Sequence, residues 1–245
     1  GRYTERAESS LRLLRTVFML MNSENASSLT CRRTLLQTVT AATATQPGFM
    51  LDNDELILAP EKELQQVIAN PHRFGGVRFN LTAMLNCADQ CKELLSPDML
   101  RVINDIRDTL SSLDNTLSGA PEETLNPLVT ALMALSGLIQ ESMVRSTGWR
   151  FIEIGRRLER SQQTTTIIRH LLANELAEAD QHSVNHALLH SLEVLISYRR
   201  RYGTRMEIPS CLNMVMLDIG NPRSLLYQLD QLNQHLASLR KPNSY

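Results

Sequence analysis

Two dipeptides carry the chain's clearest chemical potential. Glu5-Arg6 and Glu159-Arg160 each follow a Gly-Arg pair, giving Gly1-Arg2-x-x-Glu5-Arg6 and Gly155-Arg156-x-x-Glu159-Arg160. Arg15 and Arg169 extend the match, and every matched position is offset by 154 residues. A carboxylate can hold or move a proton. A guanidinium fork binds a carboxylate or phosphate through two parallel hydrogen bonds. If the copies meet across helices, Glu5 and Glu159 are candidate proton-handling residues, with Arg2, Arg6, Arg156 and Arg160 clamping an anionic substrate. The plainer alternative is a structural lattice of ion pairs that fixes helix register. The residues alone leave both open.

Other constellations carry less. Asn221-Pro222-Arg223-Ser224 can offer free N–H groups and a guanidinium to an anion, which makes Asn221 and Arg223 further candidate binding residues. His182, His186 and His190 recur every fourth residue, but neither the Glu of a zincin motif nor a nearby Cys accompanies them. No metal site is assigned, and a solvated helix face is expected. Arg199, Arg200 and Arg201 precede Gly203, where cations suit the negative end of a helix dipole. Trp149 is expected to be a core anchor. Without Glu-x-x-His, a Walker-type glycine loop or Gly-x-Ser-x-Gly, a di-iron bundle, independent nucleotide binding and serine-hydrolase chemistry lack their usual parts. No cofactor is implied.

The elements that must position these groups read as helices. Apolar spacing predicts helices near 2–22, 27–44, 60–69, 72–95, 97–115, 122–145, 148–174, 182–202, 210–218 and 222–239. Residues 46–59 read as a loop with a short extended piece at 56–58. Asn70-Pro71, Ser96-Pro97, Asn126-Pro127 and Asn221-Pro222 each read as a capping side chain before a first-position proline. In the first repeated helix, Tyr3, Ala7, Leu11, Leu14, Phe18 and Met21 form one apolar stripe. A second stripe starts at Arg2, Arg6 and Ser9 and turns apolar at Leu13, Val17 and Leu20. Such a helix is buried on two sides, with its charge gathered in the first turns. The expected fold is all-α: a multi-helix bundle of two pseudo-symmetric repeats. It forms a single domain over 1–245, with repeat one at 1–95, connecting helices at 96–147 and repeat two at 148–239.

Composition sets the outer bounds. The chain has 245 residues, a net charge of -1 and only three lysines among its 25 basic residues. Near-neutral charge gives no global field for nucleic acid or an anionic membrane. The arginine bias suits buried ion pairing. Four cysteines without a Cys-x-x-Cys motif read as small core residues in a reducing compartment. With no apolar run long enough to span a bilayer, the expected location is cytoplasmic. Gly1 already lies within a helical pattern, so an upstream segment is expected.

At Gly1-Arg-Tyr-Thr-Glu-Arg-Ala-Glu8, Ser142 through Arg160, Tyr198-Arg-Arg-Arg-Tyr202 and Asn221-Pro-Arg-Ser224, the chain resembles the alpha-E family, a helical domain with a Glu-Arg motif. The resemblance spans nearly the whole chain. It implies an association, in cis or trans, with circularly permuted ATP-grasp ligases, and with transglutaminase-like and proteasome-like proteins, in peptide synthesis or modification. The domain's own reaction, if any, is not implied. Where the family has a serine and an arginine-rich helix after the first Asn-Pro, this chain has His72-Arg-Phe-Gly-Gly-Val77, which weakens that site as a binding element.

Overall fold

The computed structural model describes residues 1–22, 28–116, 121–172 and 175–239. Among these there are twelve α-helices and no strand: α1 (Arg2–Met21), α2 (Leu29–Thr43), α3 (Asp54–Leu58), α4 (Glu61–Ala69), α5 (Val77–Asp89), α6 (Pro97–Thr116), α7 (Pro121–Ser142), α8 (Thr147–Leu171), α9 (Glu178–Ser191), α10 (Leu195–Tyr202), α11 (Ile208–Leu212) and α12 (Leu225–Leu239). The all-α multi-helix architecture expected from the apolar spacing is the one observed. No helix among the described residues is long and apolar enough to cross a membrane.

α1 is the central strut. It packs against α2, α5, α7, α8 and α9, which is why apolar stripes on two sides are needed. Ala7, Leu11, Leu13, Leu14 and Val17 are fully enclosed. α8 lies across α1 and also touches α2, α9 and α12. The glycines of the two Gly-Arg pairs mark where α1 and α8 start to touch. A Cβ on Gly1 would lie 2.1 Å from the Ile152 carbonyl oxygen, and one on Gly155 would lie 3.4 Å from the Arg2 nitrogen. Backbones this close bring the side chains one turn further along within reach of each other.

Caps set several helix starts. The hydroxyls of Ser28, Ser96, Ser146 and Ser224 accept from the N–H groups of Cys31, Met99, Trp149 and Tyr227 at 3.1–3.5 Å. Ser96-Pro97 thus behaves as its sequence predicts. The asparagine–proline pairs do not. Asn70 and Asn221 accept from the N–H two residues on (2.8 and 3.0 Å), a local turn that delays α5 to Val77 and α12 to Leu225. Asn126-Pro127 lies inside α7. In the first turn, Gly75 adopts φ +80°, and a Cβ there would lie 2.0 Å from the Thr43 carbonyl oxygen.

Two further expectations are corrected. Residues 54–58 are helical, not extended, with Asn53 capping the N–H groups of Glu55 and Leu56. The stretch 182–202 is not one helix: it breaks at Glu193, which adopts a left-handed φ of +59°, and continues as α10. Of the cysteines, Cys31 and Cys211 are core residues, while Cys87 and Cys91 are exposed.

Candidate functional site

The two Glu-Arg dipeptides meet, and they exchange partners. Arg160 donates from Nε and Nη2 to the two oxygens of Glu5 at 2.5 and 2.7 Å. Arg6 donates from Nε and Nη2 to the two oxygens of Glu159 at 2.6 and 3.0 Å. Each acid is therefore held by the arginine of the other dipeptide in a bidentate pair. Glu159 also accepts from Arg2 Nε at 2.9 Å and from Gln163 at 3.2 Å. Glu5 and Glu159 are buried, Arg160 nearly so, Arg6 partly, and Arg2 is largely exposed.

Around these pairs lies a lattice only partly foreseen. Arg156 directs Nη1 to Glu153 at 2.6 Å, and its Nε lies 3.9 Å from Glu5. Arg157 bridges Glu153 at 2.9 Å and Gln228 of α12 at 3.1 Å. Arg223 reaches into the bundle and donates to Glu8 at 2.9 Å, beside Arg12, which donates to the same oxygen at 3.0 Å. Asn221 sets this up: its Nδ2 donates to the Met214 carbonyl at 2.8 Å, and its Oδ1 accepts the Arg223 N–H. Both polar atoms of its side chain shape the turn that aims Arg223 inward. Glu8, Arg12, Glu153, Arg157 and Gln228 are site residues that the Glu-Arg motif does not mark. Two signals could have found the first four. Glu8/Arg12 and Glu153/Arg157 are i,i+4 acid–base pairs, and both sit on helices with too much apolar surface to leave that face in water.

The electrostatics follow from burial against guanidinium attraction. Burial raises the Glu8 carboxyl, but Arg223, Arg12 and Arg160 outweigh it and hold the group at about 2. Glu153 and Glu159 are likewise pulled below the ordinary range against burial, by Arg156 with Arg157 and by Arg6 respectively. Arg160 is raised, because Glu5 overcomes its desolvation. Acids held this way stay ionised at neutral pH and are poor proton acceptors. Charge is not balanced within the lattice. Arg2, Arg6, Arg12, Arg15, Arg156, Arg157, Arg160 and Arg223 face Glu5, Glu8, Glu153, Glu159 and Glu193. One end borders open space: Arg6, Glu159 and Gln163 form part of the wall of a groove of about 620 Å³, with Ala42, Thr166 and Leu229.

The whole chain, residues 1–245, matches the family described as a predicted alpha-helical domain with a conserved ER motif. It belongs to the Alpha-E family. An uncharacterized protein of Mycobacterium tuberculosis is 28% identical to it over 257 residues, covering 98% of this chain and 29% of the relative. An uncharacterized protein of Mycobacterium bovis matches with the same identity and coverage. The chain thus spans less than a third of the length of these relatives. No solved structure matches it.

Within this Alpha-E domain the remaining candidates fall outside the Glu-Arg exchange. Trp149 is buried, with Arg145 stacked 4.3 Å above its ring and His235 edge-on at 5.2 Å, so it does anchor the core. Arg201 pairs with Asp218 at 2.5 Å. The histidine helix is not the solvated face expected of it. His182 is exposed, but His186 and His190 are half-buried and stacked at 5.6 Å.

Proposed function

We propose that this Alpha-E domain is a non-catalytic helical scaffold that partners a circularly permuted ATP-grasp amide ligase in peptide synthesis or modification. Its Glu-Arg pairs act as the internal lock. The observation that carries the reading is saturation: every oxygen of Glu5 and Glu159 already accepts a guanidinium hydrogen, and Glu159 is held ionised. Glu159 has all four of its acceptor positions filled, and Glu5, with two filled, is shut away from solvent, so neither carboxylate is presented to a substrate. The lock joins α1 to α8, and a partner would then read the outer surface of the assembled bundle. The ligase as partner rests on the family association.

A second reading is favoured by one specific observation. The Arg6–Glu159 end borders the groove, and the lattice holds more arginines than acids. On this reading Arg6, Arg2 and Gln163 bind a carboxylate-bearing peptide or an acyl-phosphate group there.

The paired replacement Glu5→Leu with Arg160→Met tests the scaffold reading and leaves the Arg6–Glu159 end intact. Replacing a buried ion pair by apolar residues of similar volume is often neutral or stabilising. The scaffold reading expects a folded double variant that still supports amide formation by the complete ligase system. A folded double variant with product formation abolished would refute it. Peptide binding by the isolated domain that is lost in Arg6→Ala supports the second reading.

A further inference from the structure

The far half of α1 meets the end of α9 in a second polar cluster, which the Glu-Arg lock does not use. Arg12 is 2% exposed. Its Nε donates to Glu8 at 3.0 Å, its Nη1 pairs with Glu193, and its Nη2 is buried with no partner. Arg15 donates Nη2 to the same Glu193 oxygen at 3.0 Å and Nη1 to Asn126 at 3.1 Å. From α9, His190 Nδ1 lies 2.8 Å from the Thr16 hydroxyl, which donates to the Arg12 carbonyl at 2.9 Å. That hydroxyl's hydrogen is spent, so His190 donates from Nδ1 and its Nε2 is the atom that would take up a proton. His186 stacks on His190 and has a buried Nδ1 without a partner.

Glu193 is an ill-suited permanent occupant of this cluster. Its carboxylate is 39% exposed, although the guanidinium it covers is buried. Its backbone lies at φ +59°, where an L side chain is disfavoured. The Glu193 N–H donates to the His190 carbonyl at 3.0 Å and the Val194 N–H to the Leu189 carbonyl at 2.9 Å. This left-handed helix ending normally carries glycine. A residue kept in such a conformation at a cluster of cations marks a functional position. One Glu193 oxygen serves both guanidinium groups, while Arg12 Nη2 goes unused. A tetrahedral anion with three terminal oxygens would use all three donors; a planar carboxylate does not.

We propose that this cluster is a phosphate-binding site in which the Glu193 carboxylate is a displaceable stand-in for the ligand. Glu193 swings outward, and Arg12, Arg15 and His190 take the phosphate oxygens. The electrostatics agree. Burial, then His190, Arg199 and His182, push His186 down to about 4. Burial and the charges of Arg15, Arg12 and Arg199 keep His190 below its ordinary value, against the opposing pull of Glu193. A dianion at this point would raise both histidines. The site shares no residue with the two exchanged Glu-Arg pairs and touches the lattice around them only through Arg12 and Glu8.

The test follows the His186 and His190 ring signals by NMR while the full chain is titrated with inorganic phosphate, with sodium chloride at matched ionic strength as reference. The expected result is a saturable shift and upward-moving histidine titrations in phosphate alone. Glu193→Gly removes the competitor and suits the left-handed backbone, so it should tighten phosphate binding by about tenfold. Glu193→Gln, which keeps the side chain's size, should tighten it in the same direction. Arg15→Ala should lose saturation. A parallel titration with glycerol 3-phosphate tells the sources apart: tighter binding of the ester points to an organic phosphate, tighter binding of inorganic phosphate to the free ion. Equal responses to phosphate and chloride, or unchanged affinity in both folded Glu193 variants, would overturn the proposal.

Discussion

Removing one arginine from each exchanged pair should have unequal consequences, because the two ends of the lock differ in burial and in backup. In Arg160→Met, buried Glu5 loses both of its close hydrogen bonds and keeps only Arg156, 3.9 Å away. That is an uncompensated buried charge, and such losses cost about 3–5 kcal/mol. In Arg6→Met, Glu159 retains Arg2 at 2.9 Å and Gln163 at 3.2 Å, and the deleted side chain was partly solvated. The expected loss there is about 1–2 kcal/mol. Urea unfolding at neutral pH reads the difference directly. With a slope of about 3 kcal/mol/M, the midpoint should fall by about 1–1.7 M for Arg160→Met and by about 0.3–0.7 M for Arg6→Met. Equal shifts, or a larger one for Arg6→Met, would refute the claim that local backup sets the cost. A Glu5→Leu/Arg160→Met double variant less stable than Arg160→Met alone would refute the claim that stranded charge causes it.

Other expectations follow from single contacts. Glu8 is depressed from 4.5 to about 2 in the fold, so its contribution is complete above pH 4.5 and is lost as pH falls toward 2. The depressed Glu153 and Glu159 act in the same direction. For Glu8 the loss is roughly 3 kcal/mol, and a Glu8→Gln variant should show a flatter acid limb in pH-dependent unfolding. Gly155→Ala should be neutral or slightly stabilising in thermal melts, since its Cβ would make only ordinary contact at 3.4 Å and alanine favours helix. Gly75→Ala should cost about 2 kcal/mol or more, because φ is +80° and the Cβ would lie 2.0 Å from the Thr43 oxygen. Trp149 is the single tryptophan, so its emission should be that of a buried indole. Arg145→Ala should alter that emission while costing about 1 kcal/mol or less.

The sequence by itself determined the helical class and the participants in the lock. Apolar residues recurring at helical spacing leave a chain little choice but helices, and the stripes on two sides of residues 2–21 required neighbours on both. The repeated Gly-Arg-x-x-Glu-Arg also announced that two charge clusters lay where burial was unavoidable. Punctuation was less legible. An asparagine before a proline fits a helix cap and a local turn equally well, and Asn70 and Asn221 took the turn. Glu193 could not be foreseen as a helix break, because a left-handed glutamate is held by its surroundings and not by its own preference. Only tertiary structure decided who pairs with whom. Glu5 takes Arg160 and Glu159 takes Arg6 because the start of α1 packs against α8 at Ile152 and Gly155, and such a contact is not encoded in either helix alone. The same packing recruited Glu8, Arg12, Glu153 and Arg223. Arg223 stood out in sequence beside Asn221-Pro222, but its partner Glu8 did not, because a charge's partner is fixed only when a neighbouring helix excludes water around it.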